Sequence, residues 1–342
     1  MTTAITLNPL HEAHDEATHV ERKTRLQAIE AALDTSGLRP ELSTLPVIPA
    51  TSAQLLAVHE QRLIDTIHWT ASQDDVWFGM DTYTTRHTWE AARMSAGAAI
   101  AAVDAVATGR AHNAFALSRP PGHHATPSQP MGFCFFNNIA VAARHAFMHH
   151  GIARLAIIDF DVHHGNGTQD CFYDDSTVLF CSSHASPLYP GTGSEHEVGL
   201  EDGYGTTLNI PLPYRTGDMG FSMLYDQVIM PAVRRYRPEM ILVSAGYDAH
   251  WDDPLGPLSL SISGYTAITQ RLVALANELC NGKIVMILEG GYSLPALSGG
   301  VLASLRVLLG QAPAPDPLGP ADTAEPDLTT VIRRILDRHP IF

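Results

Sequence analysis

Lysine is scarce in this chain: Lys23 and Lys283 are the only two among 342 residues. The 36 aspartates and glutamates outnumber the 21 lysines and arginines, which gives a formal net charge of −15. Nucleic-acid binding needs concentrated positive charge, so we expect no nucleic-acid partner. No apolar run approaches the roughly 20 residues of a membrane helix, and the amino terminus lacks a signal-peptide pattern. We therefore expect a cytoplasmic protein that does not bind membranes.

Several common sequence signals are also absent. The four cysteines form no CxxC pair, which favours reduced thiols over a disulfide framework. There is no P-loop, no GxGxxG after a strand and no GxSxG elbow, so nucleotide binding and serine-hydrolase chemistry lack support. Histidine, in contrast, is abundant, with 18 copies and several adjacent pairs.

Short apolar runs alternate with longer amphipathic segments through most of the chain. Runs that are apolar throughout suit strands covered on both faces, and strand–helix alternation favours a parallel sheet. The sequence therefore predicts a single-domain α/β fold, in which helices flank one parallel β-sheet. The predicted strands cover 113–117, 154–160, 178–182, 206–210, 239–245 and 283–288, and the predicted helices cover 52–67, 88–108, 137–150, 222–236, 264–281 and 297–309.

The two ends of the chain differ from this pattern. The segment 1–85 is predicted to form helices and loops that feed the sheet, including an amphipathic helix ending near Leu33. The proline- and alanine-rich segment 311–325 predicts a surface linker, with a short helix near 327–338. We expect one large domain over 1–315 and, over 316–342, a linker and a short helix packing on it.

Polar residues follow four of the predicted strands, and in open parallel sheets functional sites form beyond the carboxyl ends of strands. Asp161 and His163 are two apart in an extended segment, so both side chains point the same way. Asp248 follows another strand and could supply a third ligand to a divalent cation. Three protein ligands leave a position open for water, which is typical of a catalytic metal. Zinc is the preferred metal, although this ligand set also accepts iron(II) or cobalt.

The number of metal ions depends on two neighbouring positions. A two-metal site on such a scaffold would require further carboxylates, but the sequence has Gly165 and His250 there. We therefore expect one metal ion per chain.

His123 and His124 follow a rigid Pro-Pro-Gly turn and are candidates for proton transfer beside the metal. Asp159 and Asn166 are the nearest candidates to orient them. Tyr292 follows two glycines and could hydrogen-bond a developing oxyanion. The residues alone leave another interpretation open, in which the histidines cap loops and the tyrosine packs in the core.

Aromatic loops at 131–136 and 186–191 could line a narrow apolar channel for an unbranched chain, or could simply pack in the core. The sequence contains RPPGHHA (119–125), GFCFFNN (132–138), DFDVHHGNGTQ (159–169), YPGTG (189–193), SAGYDAH (244–250) and LEGGY (288–292). With DTY at 81–83, these strings resemble the zinc-dependent histone deacetylases in their bacterial class II-like branch, which includes amidohydrolases of acetylpolyamines. They occur in family order with family-like spacing.

The resemblance implies the arginase–deacetylase fold and a zinc hydrolase that removes acetyl or other acyl groups from amines. It implies zinc ligation by Asp161, His163 and Asp248. His123 and His124 match the tandem histidines of the family, with Asp159 and Asn166 as their partners. Tyr292 matches the tyrosine that polarises the substrate carbonyl. The resemblance further implies that the Gly132 carbonyl accepts the substrate amide hydrogen and that Phe133 and Tyr189 form the channel walls.

Family members often bind potassium beneath the zinc, and Asp159, Asp161, His163, Ser182 and Ser183 match that pattern. Leu255 occupies the rim position at which polyamine-selective members can carry glutamate. An acylated lysine peptide is therefore the expected substrate, with an acylated polyamine or other small amine as the alternative. After DTY, residues 85–88 read Thr-Arg-His-Thr where relatives commonly have a Ser-Pro-Gly-Ser type turn. Substrate preference therefore does not carry over from the family.

Two further functions remain open from the sequence. A ureohydrolase of arginase type would use the same fold with two manganese ions, which Gly165 and His250 disfavour. A non-enzymatic module that binds acyl-lysine would not need the intact set of ligands, histidines and tyrosine. The sequence does not decide whether the chain forms a homo-oligomer.

Overall fold

The computed structural model describes residues 2–73 and 76–342, and it is built on one eight-stranded parallel sheet. The strand order is β2-β1-β5-β10-β9-β6-β7-β8, and a separate two-stranded antiparallel hairpin pairs β3 with β4. The fold class predicted from the sequence is confirmed. The strands are β1 Thr3–Leu7, β2 Leu42–Thr44, β3 Trp77–Phe78, β4 Thr82–Tyr83, β5 Asn113–Leu117, β6 Leu155–Asp159, β7 Val178–Ala185, β8 Thr207–Leu212, β9 Met240–Ala245 and β10 Ile284–Leu288.

Helices cover both faces of the sheet, which is why its inner strands are apolar at successive positions. No helix within the described ranges is long and apolar enough to cross a membrane. The helices are α1 Thr24–Ser36, α2 Ser52–Leu56, α3 Gln61–Thr70, α4 Thr88–Ala107, α5 Asn138–His150, α6 Asn166–Phe172, α7 Asp218–Leu224, α8 Met230–Tyr236, α9 Ile262–Leu279, α10 Leu294–Leu308 and α11 Thr329–Arg338.

Strand β10 shows how the two cores are built. Ile284, Met286 and Leu288 point into the larger apolar cluster, which includes residues of α1, α9, α10 and α11. Val285 and Ile287, which alternate with them, point into the second cluster against α4 and α5. All five side chains are essentially inaccessible to water. Alternating side chains of one strand therefore anchor helices on opposite faces of the sheet.

The six predicted strands are confirmed with small shifts at their ends, but the sheet extends beyond them. Strand β1 pairs in parallel with both β2 and β5, although the segment 1–85 was expected to contain only helices and loops. Strand β1 has only five residues, so its local pattern is weak, although Asn8 and Pro9 follow it directly. Its pairing comes from partners that lie much later in the chain.

Two predicted helices are corrected by the structure. The span 52–67 contains α2 and α3, separated at Glu60, whose extended backbone donates its N–H to the Pro127 carbonyl at 2.8 Å. The span 222–236 contains the end of α7, a π-helical turn over Tyr225–Ile229, and α8. Pro231 lies in the first turn of α8 and has no N–H to donate to the preceding turn, which favours a local change of helical pitch.

The carboxyl-terminal segment folds back onto the main body. Leu328, Ile332 and Ile335 are buried in the larger apolar cluster, and they place α11 against the π-helical turn. The Glu325 carboxylate accepts backbone N–H bonds at the start of α7, from Gly217 at 3.0 Å and from Gly220 at 2.8 Å.

The order of the central strands determines where the functional residues meet. Strands β5, β10, β9 and β6 are consecutive neighbours, and they are the four strands followed by the histidines, carboxylates and tyrosine singled out from the sequence. Because all four are parallel, their carboxyl ends lie at one edge of the sheet.

Candidate active site

Three predicted metal ligands lie together beyond the ends of β6 and β9. Nδ1 of His163 lies 3.1 Å from Oδ1 of Asp161 and 3.4 Å from Oδ2 of Asp248. One ligand atom from each of the three residues falls within 4.8 Å of the others. Two carboxylates and one imidazole at this spacing are suitable ligands for a divalent cation of the zinc type.

The surrounding backbone fixes the two carboxylates. Oδ2 of Asp161 accepts the N–H of Gly290 at 2.8 Å, and Oδ1 of Asp248 accepts the N–H of Val162 at 2.9 Å. Both side chains are fully buried, yet Oδ2 of Asp248 has no hydrogen-bond partner among the described residues. A buried carboxylate oxygen without a partner is costly, so this oxygen is suited to coordinate a cation. The donor set therefore fits the zinc that the resemblance implies.

The absence of side chains at two glycines creates the space for these carboxylates. A Cβ atom at Gly290 would lie 2.0 Å from Oδ2 of Asp248, and a Cβ atom at Gly165 would lie 2.2 Å from Oδ2 of Asp159. A carboxylate ligand at position 165 is therefore sterically incompatible with the arrangement seen. His250 is fully buried, and its Nδ1 accepts the N–H of Asp252 at 3.0 Å. Neither position adds a ligand, which favours one metal ion at this edge.

The tandem histidines each have the partner expected from the sequence. Nδ1 of His123 lies 3.0 Å from Oδ2 of Asp159, whereas Nδ1 of His124 lies 2.8 Å from the amide oxygen of Asn166. Because that amide oxygen can only accept, it fixes the proton of a neutral His124 ring on Nδ1 and leaves Nε2 with a free lone pair.

The two rings differ in their affinity for protons. Burial disfavours a charge on His123, but the Asp161 and Asp159 carboxylates outweigh it and hold the pKa of His123 well above its ordinary value. Burial lowers the pKa of His124, and the positive charges of His123 and His163 lower it further. One imidazolium and one neutral imidazole therefore lie side by side, with ring centroids 4.1 Å apart.

Glu289, which directly follows β10, positions the tandem histidines, although it was not among the predicted catalytic residues. Its Oε2 atom accepts the backbone N–H groups of Gly122 at 2.7 Å and His123 at 3.1 Å. Burial raises the pKa of Glu289 to about 7. The position of Glu289 directly after a buried strand was the one sequence feature that pointed to it. Its role could not be assigned from the sequence, because Gly122 and His123 lie far from it along the chain.

Tyr292 lies at the cavity between an aromatic ring and a cation. The rings of Tyr292 and Phe133 are nearly perpendicular with centroids 5.8 Å apart, and the guanidinium carbon of Arg25 lies 4.9 Å from the Tyr292 centroid. Its surroundings shield the phenol from water, which raises the pKa of Tyr292 well above its ordinary value, so the hydroxyl keeps its proton at neutral pH. The Asp253 carboxylate accepts the backbone N–H of Tyr292 at 2.6 Å and so fixes this loop.

A cavity of about 270 Å³ leads from the protein surface to the candidate ligands. Phe133 adopts a left-handed backbone with φ of +68°, and its N–H donates to Oγ1 of Thr82 at 3.0 Å. Tyr189 meets the His124 ring edge to face at 5.1 Å. The lining of the cavity is mostly apolar, and its polar groups include the rings of His123, His124 and His163. Its lining includes Asp81, Pro121, His123, His124, Gly132, Phe133, His163, Leu188, Tyr189, Leu255, Gly290 and Tyr292.

The residues expected to bind potassium lie on β6, on β7 and in the loop that carries Asp161. Asp159 pairs with Ser182 in register across the two strands, and Oγ of Ser183 donates to the Asp159 carbonyl at 3.4 Å. The N–H of Asp161 donates to Oδ1 of Asp159 at 3.1 Å. The structure thus places Asp159, Ser182 and Ser183 on two neighbouring strands and joins Asp159 to Asp161 and Ser183 by hydrogen bonds.

Two residues of the site were not predicted to act there. Arg25 contacts Tyr292, and Asp253 holds the loop that carries it. Arg25 donates to the carbonyls of Gly291 at 2.7 Å and Glu289 at 2.6 Å, which ties the amino-terminal helix α1 to the LEGGY loop. Only contacts between distant parts of the chain identify these residues, so no local sequence pattern could have revealed them.

Comparisons with known proteins agree with this geometry. The family description "Histone deacetylase domain" matches residues 19–308. Histone deacetylase 14, chloroplastic, from Arabidopsis thaliana is 41% identical over 315 residues, which covers 87% of this chain and 74% of that protein. A probable deacetylase from Archaeoglobus fulgidus is 39% identical over 312 residues, which covers 89% of this chain and 86% of that protein.

A bacterial relative and a solved structure complete the comparison. A histone deacetylase-like amidohydrolase from Pseudomonas aeruginosa is 39% identical over 278 residues, covering 81% of this chain and 73% of that protein. The crystal structure of the HDA15 HD domain superposes with a TM-score of 0.89 at 36% identity, covering 98% of this chain and 93% of that one. The chain therefore belongs to the histone deacetylase family, and it is a hydrolase that acts on amides.

Proposed function

We propose that this deacetylase removes acyl groups from lysine side chains, with one zinc ion per chain as its cofactor. The observation that carries the proposal is the mostly apolar cavity, whose lining includes the histidine pair, Tyr292 and His163. His163 belongs to the same ligand triad as Asp161 and Asp248. An acylated lysine side chain is long, thin and apolar up to its amide, and such a channel suits that shape. The family membership supports the same chemistry.

The three ligands would hold the metal, which would supply a Lewis acid for the acyl oxygen and would lower the pKa of water bound to it. His124 accepts the proton of the attacking water at Nε2, because its Nδ1 is occupied by the Asn166 amide. His123 stays protonated between Asp159 and Asp161, so it stabilises negative charge nearby. His124 then gives the proton taken from the water to the leaving amine and returns to its neutral form.

Tyr292 and the loops position the substrate in this proposal. The Tyr292 hydroxyl donates a hydrogen bond to the acyl oxygen and stabilises the negative charge that develops there. The Gly132 carbonyl accepts the substrate amide hydrogen, and Phe133 and Tyr189 flank the methylene chain. The left-handed backbone at Phe133 supports this role, because strained backbone of this kind concentrates at functional sites.

Leu255 lines the cavity and carries no charge, which favours acyl-lysine over acylpolyamine as the substrate. A second amine in a polyamine would gain little from an apolar side chain at this rim position. We would compare kcat/KM of the zinc-loaded protein for an acetyl-lysine peptide and for acetylputrescine. A higher value for the peptide is expected. A higher value for acetylputrescine would assign the chain to small amines, and equal inactivity on both would contradict the proposed reaction.

Three further features complete the proposal. A potassium ion would bind to oxygens contributed by Asp159, Asp161, His163, Ser182 and Ser183, which the pairing of β6 with β7 supports. The chain would work in the cytoplasm, and its four free cysteines suit a reducing compartment. Residues 1–315 would form the catalytic domain, and the linker and short helix of 316–342 would pack on it. The burial of Leu328, Ile332 and Ile335 in the larger apolar cluster supports this division.

A further inference from the structure

A second group of metal-ligating side chains lies between helices α4 and α5, apart from the active site. Asp104 belongs to the last turn of α4, and His145 and His150 belong to the second half of α5. Nε2 of His145 lies 2.8 Å from Oδ1 of Asp104, and Nε2 of His150 lies 2.6 Å from the same oxygen. One ligand atom from each of the three residues lies within 4.8 Å of the others, as in the active site.

The chemistry of this triad suits a borderline divalent cation. Two imidazole nitrogens and one carboxylate oxygen are ligands that zinc, cobalt, nickel and copper share. The hydrogen bonds from His150 and His145 outweigh the effect of burial and hold the pKa of Asp104 below its ordinary value, and burial lowers the pKa of His145. An ionised carboxylate and imidazole rings with a free nitrogen lone pair are the forms that bind metals, and the spacing of the three ligand atoms suits both.

The triad is accessible and its parts are held in place. The side chains of His145 and His150 are 10% and 15% exposed and that of Asp104 is 33% exposed, so an ion and a water molecule can reach them. The Gln54 amide lies 3.4 Å from Nδ1 of His145, on the side of the ring that faces away from Asp104. In metal sites the second nitrogen of a ligating histidine usually has a hydrogen-bond partner, and that partner fixes the orientation of the ring.

We propose that Asp104, His145 and His150 form a second divalent-metal site, which binds zinc and links α4 to α5. In a tetrahedral site with metal–ligand bonds of about 2.0 Å, neighbouring ligand atoms lie about 3.3 Å apart, so the triad opens by roughly half an ångström on binding. When each imidazole binds the metal through Nε2, its ring proton lies on Nδ1 instead. At His145 the Gln54 amide turns its oxygen to accept that proton. Water completes the coordination, because the protein supplies three ligands.

The proposal is tested by counting metal ions in purified protein equilibrated with a large molar excess of zinc and then freed of unbound zinc. Wild-type protein is expected to hold two zinc ions per chain. Asp104→Asn, which keeps the size of the side chain, and the double variant H145A/H150A are each expected to hold one. His149→Gln is the matched control, since His149 is an exposed neighbour on α5 whose ring packs 4.4 Å from that of His145, and it is expected to hold two.

Thermal unfolding gives a readout that does not depend on catalysis. Adding zinc to protein that already holds its active-site ion should raise the unfolding midpoint of wild type and His149→Gln, because the ion links two helices only in the folded state. That shift should be lost in Asp104→Asn. An Asp248→Ala variant should still bind one zinc ion, which separates this site from the active site. A wild-type chain that stays at one ion, or variants of the triad that still hold two, would overturn the proposal.

Discussion

The amide oxygen of Asn166 lies 2.8 Å from Nδ1 of His124, deep in the active site. An amide orients the imidazole without adding negative charge, whereas His123 faces the carboxylate of Asp159. The two neighbouring rings therefore have partners of different charge, and this difference fixes which ring is neutral.

Replacing Asn166 by aspartate should move the pH dependence of catalysis. A carboxylate beside His124 stabilises its protonated form and should raise the pKa of the acidic limb of kcat/KM by about 1 to 3 pH units. The neutral base would then be available only at higher pH. The measurement is kcat/KM against pH for both proteins, and an unshifted acidic limb would show that His124 does not act as the base.

Tyr292→Phe should lower kcat by a factor of about 10² to 10³, because it removes one donor to the developing oxyanion. The ring keeps its contacts with Phe133 and Arg25, so the unfolding temperature should change little. Steady-state kinetics and a thermal melt measure the two effects. Undiminished turnover in this variant would refute the role of the phenol.

Asp248→Ala should abolish metal binding at the active site. It leaves only two of the three ligands, and it removes a buried carboxylate oxygen that has no hydrogen-bond partner in the part of the chain that the structure describes. Metal analysis should show one ion fewer per chain than in wild type, with turnover lost in parallel. Ser194→Ala, in an exposed loop far from the ligands in sequence, serves as a control and should keep the wild-type metal content.

The buried ring of His59 should make folding stability depend on pH. Its Nε2 accepts the N–H of Asn137 at 2.9 Å, and its Nδ1 lies 3.1 Å from the Thr126 carbonyl, so the ring is neutral in the folded protein. Burial lowers the pKa of His59 to about 4. The unfolded chain takes up a proton near pH 6.5 and the folded chain does not, so stability falls as the pH drops from about 6.5 towards 4.

This single group should cost roughly 2 kcal/mol of unfolding free energy at about pH 5, compared with neutral pH. His59→Gln removes the titrating ring, so the free energy of unfolding should depend less on pH. Urea unfolding at a series of pH values measures this change. His149→Gln, which changes an exposed ring, should leave it intact. A wild-type curve and a His59→Gln curve of equal slope would exclude this contribution.

The features of the fold that depend on local pattern could be predicted from the sequence. The strand before Asp161 and the strand before Asp248 are mostly apolar and fully buried, so their carboxyl ends could be located and the ligands assigned to one edge. Strand β1 was missed, because its weak local pattern forms a strand only through pairing with β2 and β5.

The groups that position the site were harder to predict for a related reason. Glu289 acts on His123 and Asp253 acts on Tyr292 through loops that fold back over long stretches of sequence. The break at Glu60 likewise depends on a carbonyl supplied by Pro127. Such contacts are properties of the assembled chain, and spacing along the sequence does not encode them.

The N–H of Val162 donates to the Asp248 carboxylate and the N–H of Gly290 donates to the Asp161 carboxylate, at the candidate metal site. These amides belong to loops that follow different central strands, so a cation held there would stiffen both loops through their main chains. Hydrogen–deuterium exchange at these two amides therefore reports directly on occupancy, and it would do so in a protein whose catalysis had been disabled elsewhere.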